Sequence, residues 1–186
     1  MMQVGYAVRN YNSITWFRKN IENLFFRNKQ RARIEKMTTP AIGKMFLMSY
    51  SPKHWKTLPY YDIYPLIFIV KFLPDGFLAI NLHYLGPPDR ALLMNELLKI
   101  DTNNDKMDES TRLKLSFKVL TRMAHRKRAS VCIKRYLYSN IHNIGMIPSS
   151  EWINAMGLPL EGFRRKSSRK DRRVVWEESS KKIKGQ

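Results

Sequence analysis

The stretch "CIKRYLYSNIHN", residues 132–143, puts the chain's single cysteine beside two adjacent cations, two tyrosines and a histidine. Nucleophilic catalysis by Cys132 would need a base within hydrogen-bond reach and a third group to orient that base. His142 is the nearest base, and it could meet Cys132 only if the element carrying both were broken. On the apolar side of a helix, a thiol is a small core residue. The four histidines, His54, His83, His125 and His142, show no metal-ligand spacing. One cysteine excludes an intrachain disulfide and a cysteine-based zinc cage. A divalent-metal nuclease would want clustered carboxylates, and the acids here are scattered. "DTNNDKMDES", residues 101–110, offers the oxygens of a calcium loop. It lacks the glycine at the bend and the closing glutamate of an EF-hand. Asp62, in "PYYDIYP", is the most interesting single acid. A turn-capping role fits its proline-flanked setting, and a catalytic role is the competing reading. There is no P-loop, GxGxxG or GxSxG pattern. The expectation is a protein without catalytic residues, cofactor or metal site.

Charge is the strongest signal in the sequence. The chain has 186 residues and a formal net charge of +19. Residues 1–43 hold eight cations and two acids, residues 44–110 seven and eight, and residues 111–186 nineteen and five. A near-neutral middle is thus flanked by basic ends. Clustered Lys and Arg release counterions from phosphates, which makes DNA the first candidate partner. An acidic protein or an anionic membrane surface would also suit basic flanks. No apolar run reaches transmembrane length, so no transmembrane helix is expected, and the N-terminus lacks a signal-peptide pattern. DNA is taken over a membrane as the expected partner.

The elements that must carry these groups can be read from periodicity. Ser13 is a candidate N-cap for a helix over 13–36, with Ile14, Phe17, Ile21, Leu24 and Phe25 on its apolar face. The second half of that helix is basic, through Arg27, Lys29, Arg31, Arg33 and Lys36. It suits either a docking helix with a solvated end or an arm lying along phosphates. Pro40 ends it. "KMFLMSY" and "YPLIFIVKF" read as strands. "LPDG", residues 73–76, then makes a turn into the alternating "FLAINLHYL", which gives a hairpin. The central strand is apolar on both faces, so both faces need cover. Pro87 or Pro88 opens a helix over 86–100.

A further helix is expected over 111–126. Its apolar arcs leave one stripe, Lys114, Lys118, Arg122 and Arg126, at four-residue spacing. Like charges so spaced repel, and a polyanion laid along them would relieve the cost. Arg126, Lys127 and Arg128 extend the basic surface. "CIKRYLYSNIHN" reads as the next helix, with Ser130 as a possible N-cap. Ile133, Leu137 and Ile141 would face the core, and Lys134 and Arg135 would face outward. "SEWINAM" forms a short helix ending at Gly157. From Arg164 onward the chain is too charged to build a core and reads as an extended tail. Its cations are Arg164, Arg165, Lys166, Arg169, Lys170, Arg172 and Arg173, and Trp176 would anchor its far end. Basic patches near aromatics, without a helix-turn-helix, zinc-finger or RNP1 motif, favour phosphate contact over base readout.

Several pieces occur together in order: "LPYYDIYPLIFIV", "GFLAINLHYLGP", "STRLKLSFKVL", "CIKRYLYSNI", a Trp-containing helix and "LPLEGF". Over residues 40–178 this order resembles a group of small proteins of T4-like contractile-tailed phages, the DNA end protector or head-completion proteins. The resemblance implies a virion protein acting late in head assembly, after synthesis in the host cytoplasm. It would sit at the end of the packaged genome, near portal and neck proteins, and shield that end from exonuclease. The resemblance supplies no catalytic residues.

The sequence therefore predicts an α+β fold. A small antiparallel hairpin or sheet over about 44–86 is covered by several helices. Residues 1–40 form an amphipathic helix and basic arm, 41–163 the α+β core, and 164–186 a basic C-terminal tail. The expected function is sequence-independent DNA binding without catalysis. The alternatives are a structural head–tail connector or neck/baseplate component, whose basic flanks contact neighbouring proteins or line the DNA channel, and then an RNA-binding protein.

Overall fold

In a computed structural model, residues 12–25, 40–91, 131–157, 163–164 and 172–185 are described. The protein is mixed α+β, built on a five-stranded antiparallel sheet in the order β5-β4-β3-β1-β6. The strands are β1 (Met45–Tyr50), β3 (Leu66–Leu73), β4 (Gly76–Asn81), β5 (Ile133–Leu137) and β6 (Ile141–Ile147). A two-stranded ribbon pairs β2 (Tyr61–Asp62) with β7 (Phe163–Arg164). Helix α1 runs over 12–25, α2 is described over 87–91, and α3 spans Arg172–Lys184. No helix among the described residues is long and apolar enough to cross a membrane.

The expected hairpin is β3 and β4, joined by Pro74-Asp75 with Leu73 opposite Gly76. Proline fixes φ for the first turn position, so the turn chemistry was readable. Gly76 is required by packing rather than by turn conformation. It has no positive φ. A Cβ there would lie 1.9 Å from the Tyr136 carbonyl oxygen, so glycine is what lets β4 approach β5.

The sheet curls. Adjacent strands lie about 4.8 Å apart, so the edges of a flat five-stranded sheet would be about 19 Å apart. Only the 3-10 turn Tyr138–Asn140 separates β5 from β6, and such a connection spans about 14 Å at most. The edges must therefore converge at that end. Tyr50 on β1 and Tyr136 on β5 confirm the curl. Their ring centroids are 4.9 Å apart although two strands lie between them in the sheet. A register irregularity at Ile69/Lys71 in β3 and another at Ser49/Tyr50 in β1 sharpen the bend.

Curling makes two cores from one sheet, which is why β1 and β3 are apolar on both faces. Phe46, Met48, Ile67, Ile69, Phe77 and Tyr136 fill the concave side. Met45, Leu47, Leu66, Phe68 and Ile80 face the other way. That second face is covered by Phe17 and Leu24 of α1, Trp152 and Ala155 of the 3-10 helix Ser149–Gly157, Phe163 of β7 and Val175 of α3. The Trp16 indole donates to the Glu151 carboxylate at 2.7 Å and so ties α1 to the 3-10 helix.

Two expectations need correction. Residues 133–147 are not a helix: "CIKRYLYSNIHN" splits into β5, the Tyr138–Asn140 turn and the start of β6. The four-residue spacing of Ile133, Leu137 and Ile141 fits one face of a strand as well as one face of a helix, and pairing with β4 and β1 decided the outcome. The C-terminal segment is not extended throughout. Over Arg172–Lys184 it is helical, with Val175 and Ser179 buried one turn apart. The Trp176 indole donates to the His83 carbonyl at 3.1 Å, so the anchor expected at Trp176 is present.

Helix α2 begins as read. The Arg90 amide donates to the Gly86 carbonyl at 3.0 Å, and Pro87 and Pro88 occupy positions where no amide is needed. The Arg90 guanidinium is fully buried, bonds the carbonyls of Leu82 and Leu85, and lies 5.7 Å from the Trp176 ring centre. It fastens α3 to the turn after β4. The basic half of the N-terminal arm, residues 92–100, the polar loop and the 111–126 helix lie outside the described residues.

Candidate nucleic-acid interface

β5 is an edge strand of the sheet and, among the described residues, pairs with β4 alone. Along it, Lys134 and Tyr136 share one face and Arg135 takes the other. Beside β5 lies an open groove of about 320 Å³. Tyr50, Tyr60, Tyr61, Tyr84 and Tyr136 line it, together with Pro52, Leu58, Pro59 and Asp62. Its cations are Lys134, Arg135 and, from α3, Lys182.

The floor is a buried polar network. Asp62 accepts the Tyr64 amide at 3.0 Å through Oδ1, which is the turn-capping bond expected of it. Its other oxygen, Oδ2, accepts the Asn81 amide at 3.0 Å and meets His83 Nδ1 at 2.5 Å. Asn81 also donates to the Tyr136 hydroxyl at 3.0 Å and accepts the His83 amide at 2.9 Å. Sequence reading found Asp62 but missed the network that Asn81, His83 and Tyr136 build around it, and missed Lys182 at the groove. The available signal was a polar pair, Asn81 and His83, continuing the face begun by the apolar Phe77 and Ala79.

Burial pushes the Tyr136 and Tyr84 hydroxyls well above their usual pKa, and the Asp62 charge pushes the same way. The Tyr60 hydroxyl is pushed up to about 12, first by burial and then by Glu178 of α3, to which it hydrogen-bonds. These phenols stay neutral at physiological pH and offer rings and hydroxyls rather than charge.

Lys134 packs its ammonium 4.1 Å from the Tyr84 ring centre. Burial lowers its pKa; the Cys132 thiol opposes that shift, and Lys182 adds to it. Arg135 is more exposed and grips Asp75 at the hairpin tip through contacts of 2.7 and 2.8 Å. That partner holds the Asp75 carboxyl below its usual range. A phosphate approaching Arg135 would therefore compete with Asp75, whereas Lys134 already points into the groove.

The structure separates the two groups that could have made a cysteine site. Cys132 is buried, and desolvation pushes its thiol up to about 12, so it is not a thiolate nucleophile. His142 lies on β6, hydrogen-bonded to the Ser51 hydroxyl at 2.9 Å. The Asp62–His83 pair has the look of a base and its orienter. However, His83 Nε2 is buried and has no hydrogen-bond partner among the described residues. The edge of the Phe17 ring packs on its imidazole. Among the described residues no three His, Cys, Asp or Glu side chains gather as a metal site.

Of the cations selected from sequence, Lys134 and Arg135 are brought together at the groove. Arg164 lies in β7, and Arg172 and Arg173 open α3. Arg27, Lys29, Arg31, Arg33, Lys118, Arg122, Arg126, Lys127, Arg128, Arg165, Lys166, Arg169 and Lys170 lie outside the described residues.

Fold and groove together define a small mixed α+β protein with a cation-rimmed, tyrosine-lined cleft at a sheet edge. The profile of the family described as Phage T4 terminal DNA protecting protein matches residues 1–179, and the chain belongs to that family. The match takes in the N-terminal arm as well as the region of the resemblance. No curated protein and no solved structure matches the chain.

Proposed function

We propose that this protein binds the end of a phage DNA genome through its phosphate backbone, without base specificity and without catalysis, and thereby protects that end. Family membership supports the end-protecting role. The single structural observation behind the mode of binding is the groove beside β5. There Lys134, Arg135 and Lys182 border neutral tyrosine walls, an arrangement suited to phosphate contact. The cations in the sequence of the N-terminal arm, residues 118–128 and residues 164–173 add to the charge available for phosphates, in keeping with a net charge of +19.

The buried Asp62–Asn81–His83–Tyr136 network has a structural role in this reading, fixing the wall on which the cations stand. The protein acts in the virion, at the head and neck beside portal proteins. Its near-neutral sheet is the part suited to docking there.

Salt dependence tests the backbone-contact reading. Neutralising about six to ten phosphates makes affinity for linear duplex fall about 10³- to 10⁵-fold between 50 and 200 mM salt. Replacing Lys134 and Lys182 with alanine lowers the slope of log K against log salt by about one per lost contact. Affinity that barely changes with salt contradicts the proposal. So does affinity that depends strongly on duplex sequence.

A further inference from the structure

We infer that Trp55 is a stacking platform for the terminal base pair of a blunt DNA duplex. The inference rests on the DNA-end function proposed above and assigns the contact that distinguishes an end from internal duplex.

The chain has four tryptophans. Three have indole partners that explain their place in the fold. Trp16 bonds Glu151, Trp152 bonds the Ile147 carbonyl, and Trp176 bonds the His83 carbonyl. Trp55 makes no such bond among the described residues and is 48% exposed. It sits at the turn of the loop "SPKHWKTLP", residues 51–59, whose Pro52, Leu58 and Pro59 form a wall of the groove. The loop that carries Trp55 thus also contributes to the groove that bears Lys134 and Lys182.

The loop is held in shape, so the exposure is built in. The Trp55 amide donates to the Pro52 carbonyl at 3.2 Å. The Thr57 and Leu58 amides and the Thr57 hydroxyl all donate to the His54 carbonyl, at 3.0, 3.1 and 3.1 Å. Ser51 anchors the base of the loop. Its amide donates to Asn140, and its carbonyl accepts the Asn140 side chain at 2.6 Å. An aromatic ring fixed in water on a braced loop contributes little to folding, and it loses little conformational entropy on meeting a flat partner.

The neighbours of Trp55 select that partner. Lys53, His54 and Lys56 are exposed on either side of it. Neither lysine has an acidic partner among the described residues, and the Lys56 ammonium lies 5.6 Å from the Trp55 ring centre. A flat aromatic face flanked by lysines without acidic partners among the described residues, with the Lys56 ammonium over one side of the ring, complements a flat apolar face ringed by phosphates. In duplex DNA only the terminal base pair offers that combination, because every internal pair is covered by its neighbours. Base–aromatic stacking of this kind is tolerant of sequence.

The test compares two ligands of identical sequence: a blunt linear duplex, and the same duplex closed at both ends by hairpin loops. The full-length protein is expected to prefer the blunt duplex. Trp55→Ala should lose about 5- to 150-fold in affinity for the blunt ligand, the size of one base–aromatic stack. Its affinity for the closed ligand should not change, and Trp55→Phe should keep most of the preference. As a second readout on the unmutated protein, 2-aminopurine fluorescence should be quenched on binding when the probe is in the terminal pair and not when it is ten pairs inside.

If Trp55→Ala keeps the end preference, or the terminal probe is not quenched, the stacking assignment is wrong while the DNA-end function stands. Loss of binding to phage heads with end preference intact would likewise overturn it, making the loop a protein-docking surface. If the unmutated protein binds neither ligand, the proposed function itself falls.

Discussion

Replacing Asp62 with asparagine isolates the network beneath the groove. The side chain keeps its shape, and its Oδ1 still accepts the Tyr64 amide. The other oxygen becomes an NH2 group that faces two existing donors, the Asn81 amide and His83 Nδ1. Asn81 cannot turn over to help, because its own oxygen already accepts the His83 amide and its nitrogen serves the Tyr136 hydroxyl. His83 cannot help by changing tautomer either, because a proton moved to Nε2 would find no partner among the described residues. Two charge-assisted hydrogen bonds are therefore lost at a buried site, each worth about 1.5–3 kcal/mol. The expected destabilisation is about 3–5 kcal/mol. For a chain of this size that lowers Tm by about 6–20 °C. Thermal melting followed by circular dichroism at pH 7, with urea unfolding as a check, measures it. A Tm within about 2 °C of the unmutated protein would refute the network and return Asp62 to a solvated turn. An unchanged Tm with loss of a metal-dependent DNA cleavage activity would make Asp62 catalytic.

Two further predictions concern stability. Gly76→Ala places a methyl 1.9 Å from the Tyr136 carbonyl oxygen, so β4 and β5 must separate; the expected cost is about 3 kcal/mol or more, read from the urea midpoint at unchanged m-value. The protein should also weaken in alkali. Cys132 is raised from 9.0 to about 12, and Tyr50, Tyr60, Tyr84 and Tyr136 are raised from 10.0, so in this range the native state holds protons that the unfolded state releases. Their stabilisation is complete below about pH 9, falls as pH climbs past the unfolded values, and is lost through the folded ones. Lys134 shifts in the opposite direction and offsets a small part of the fall. A melting series from pH 8 to 11 should show Tm dropping from about pH 9, with a shallower initial drop in Cys132→Ala; a flat series would contradict the burial of these groups.

The parts of the fold that were legible in sequence are those set by local chemistry. The β3–β4 hairpin follows from alternation and from Pro74 in the turn. The start of α2 follows from two prolines, and the double-sided burial of β3 from an unbroken run of apolar residues. The parts that were not legible depend on distant partners. β5 reads as helix in sequence because Ile133 and Leu137 satisfy both periods, and its partner β4 lies more than fifty residues earlier. The helix α3 hides in a run of charge, and its signal, Val175 and Ser179 one turn apart, carries meaning only once a surface exists for it to cover. The groove was half visible. Lys134 and Arg135 could be read as a basic surface, and Asp62 as a turn cap. That Asp62 also joins Asn81 and His83, with Tyr136 closing the network, emerges only when the sheet curls.

The central claim is that this chain shields DNA ends through the basic groove, and exonuclease digestion of linear duplex measures it most directly. With saturating unmutated protein, digestion by a double-strand exonuclease should slow by at least tenfold, independent of the terminal sequence. A Lys134→Ala, Arg135→Ala, Lys182→Ala variant with unchanged melting should protect far less. Ends that stay open to digestion under saturating protein, or a triple variant that protects as well as the unmutated chain, would contradict the account.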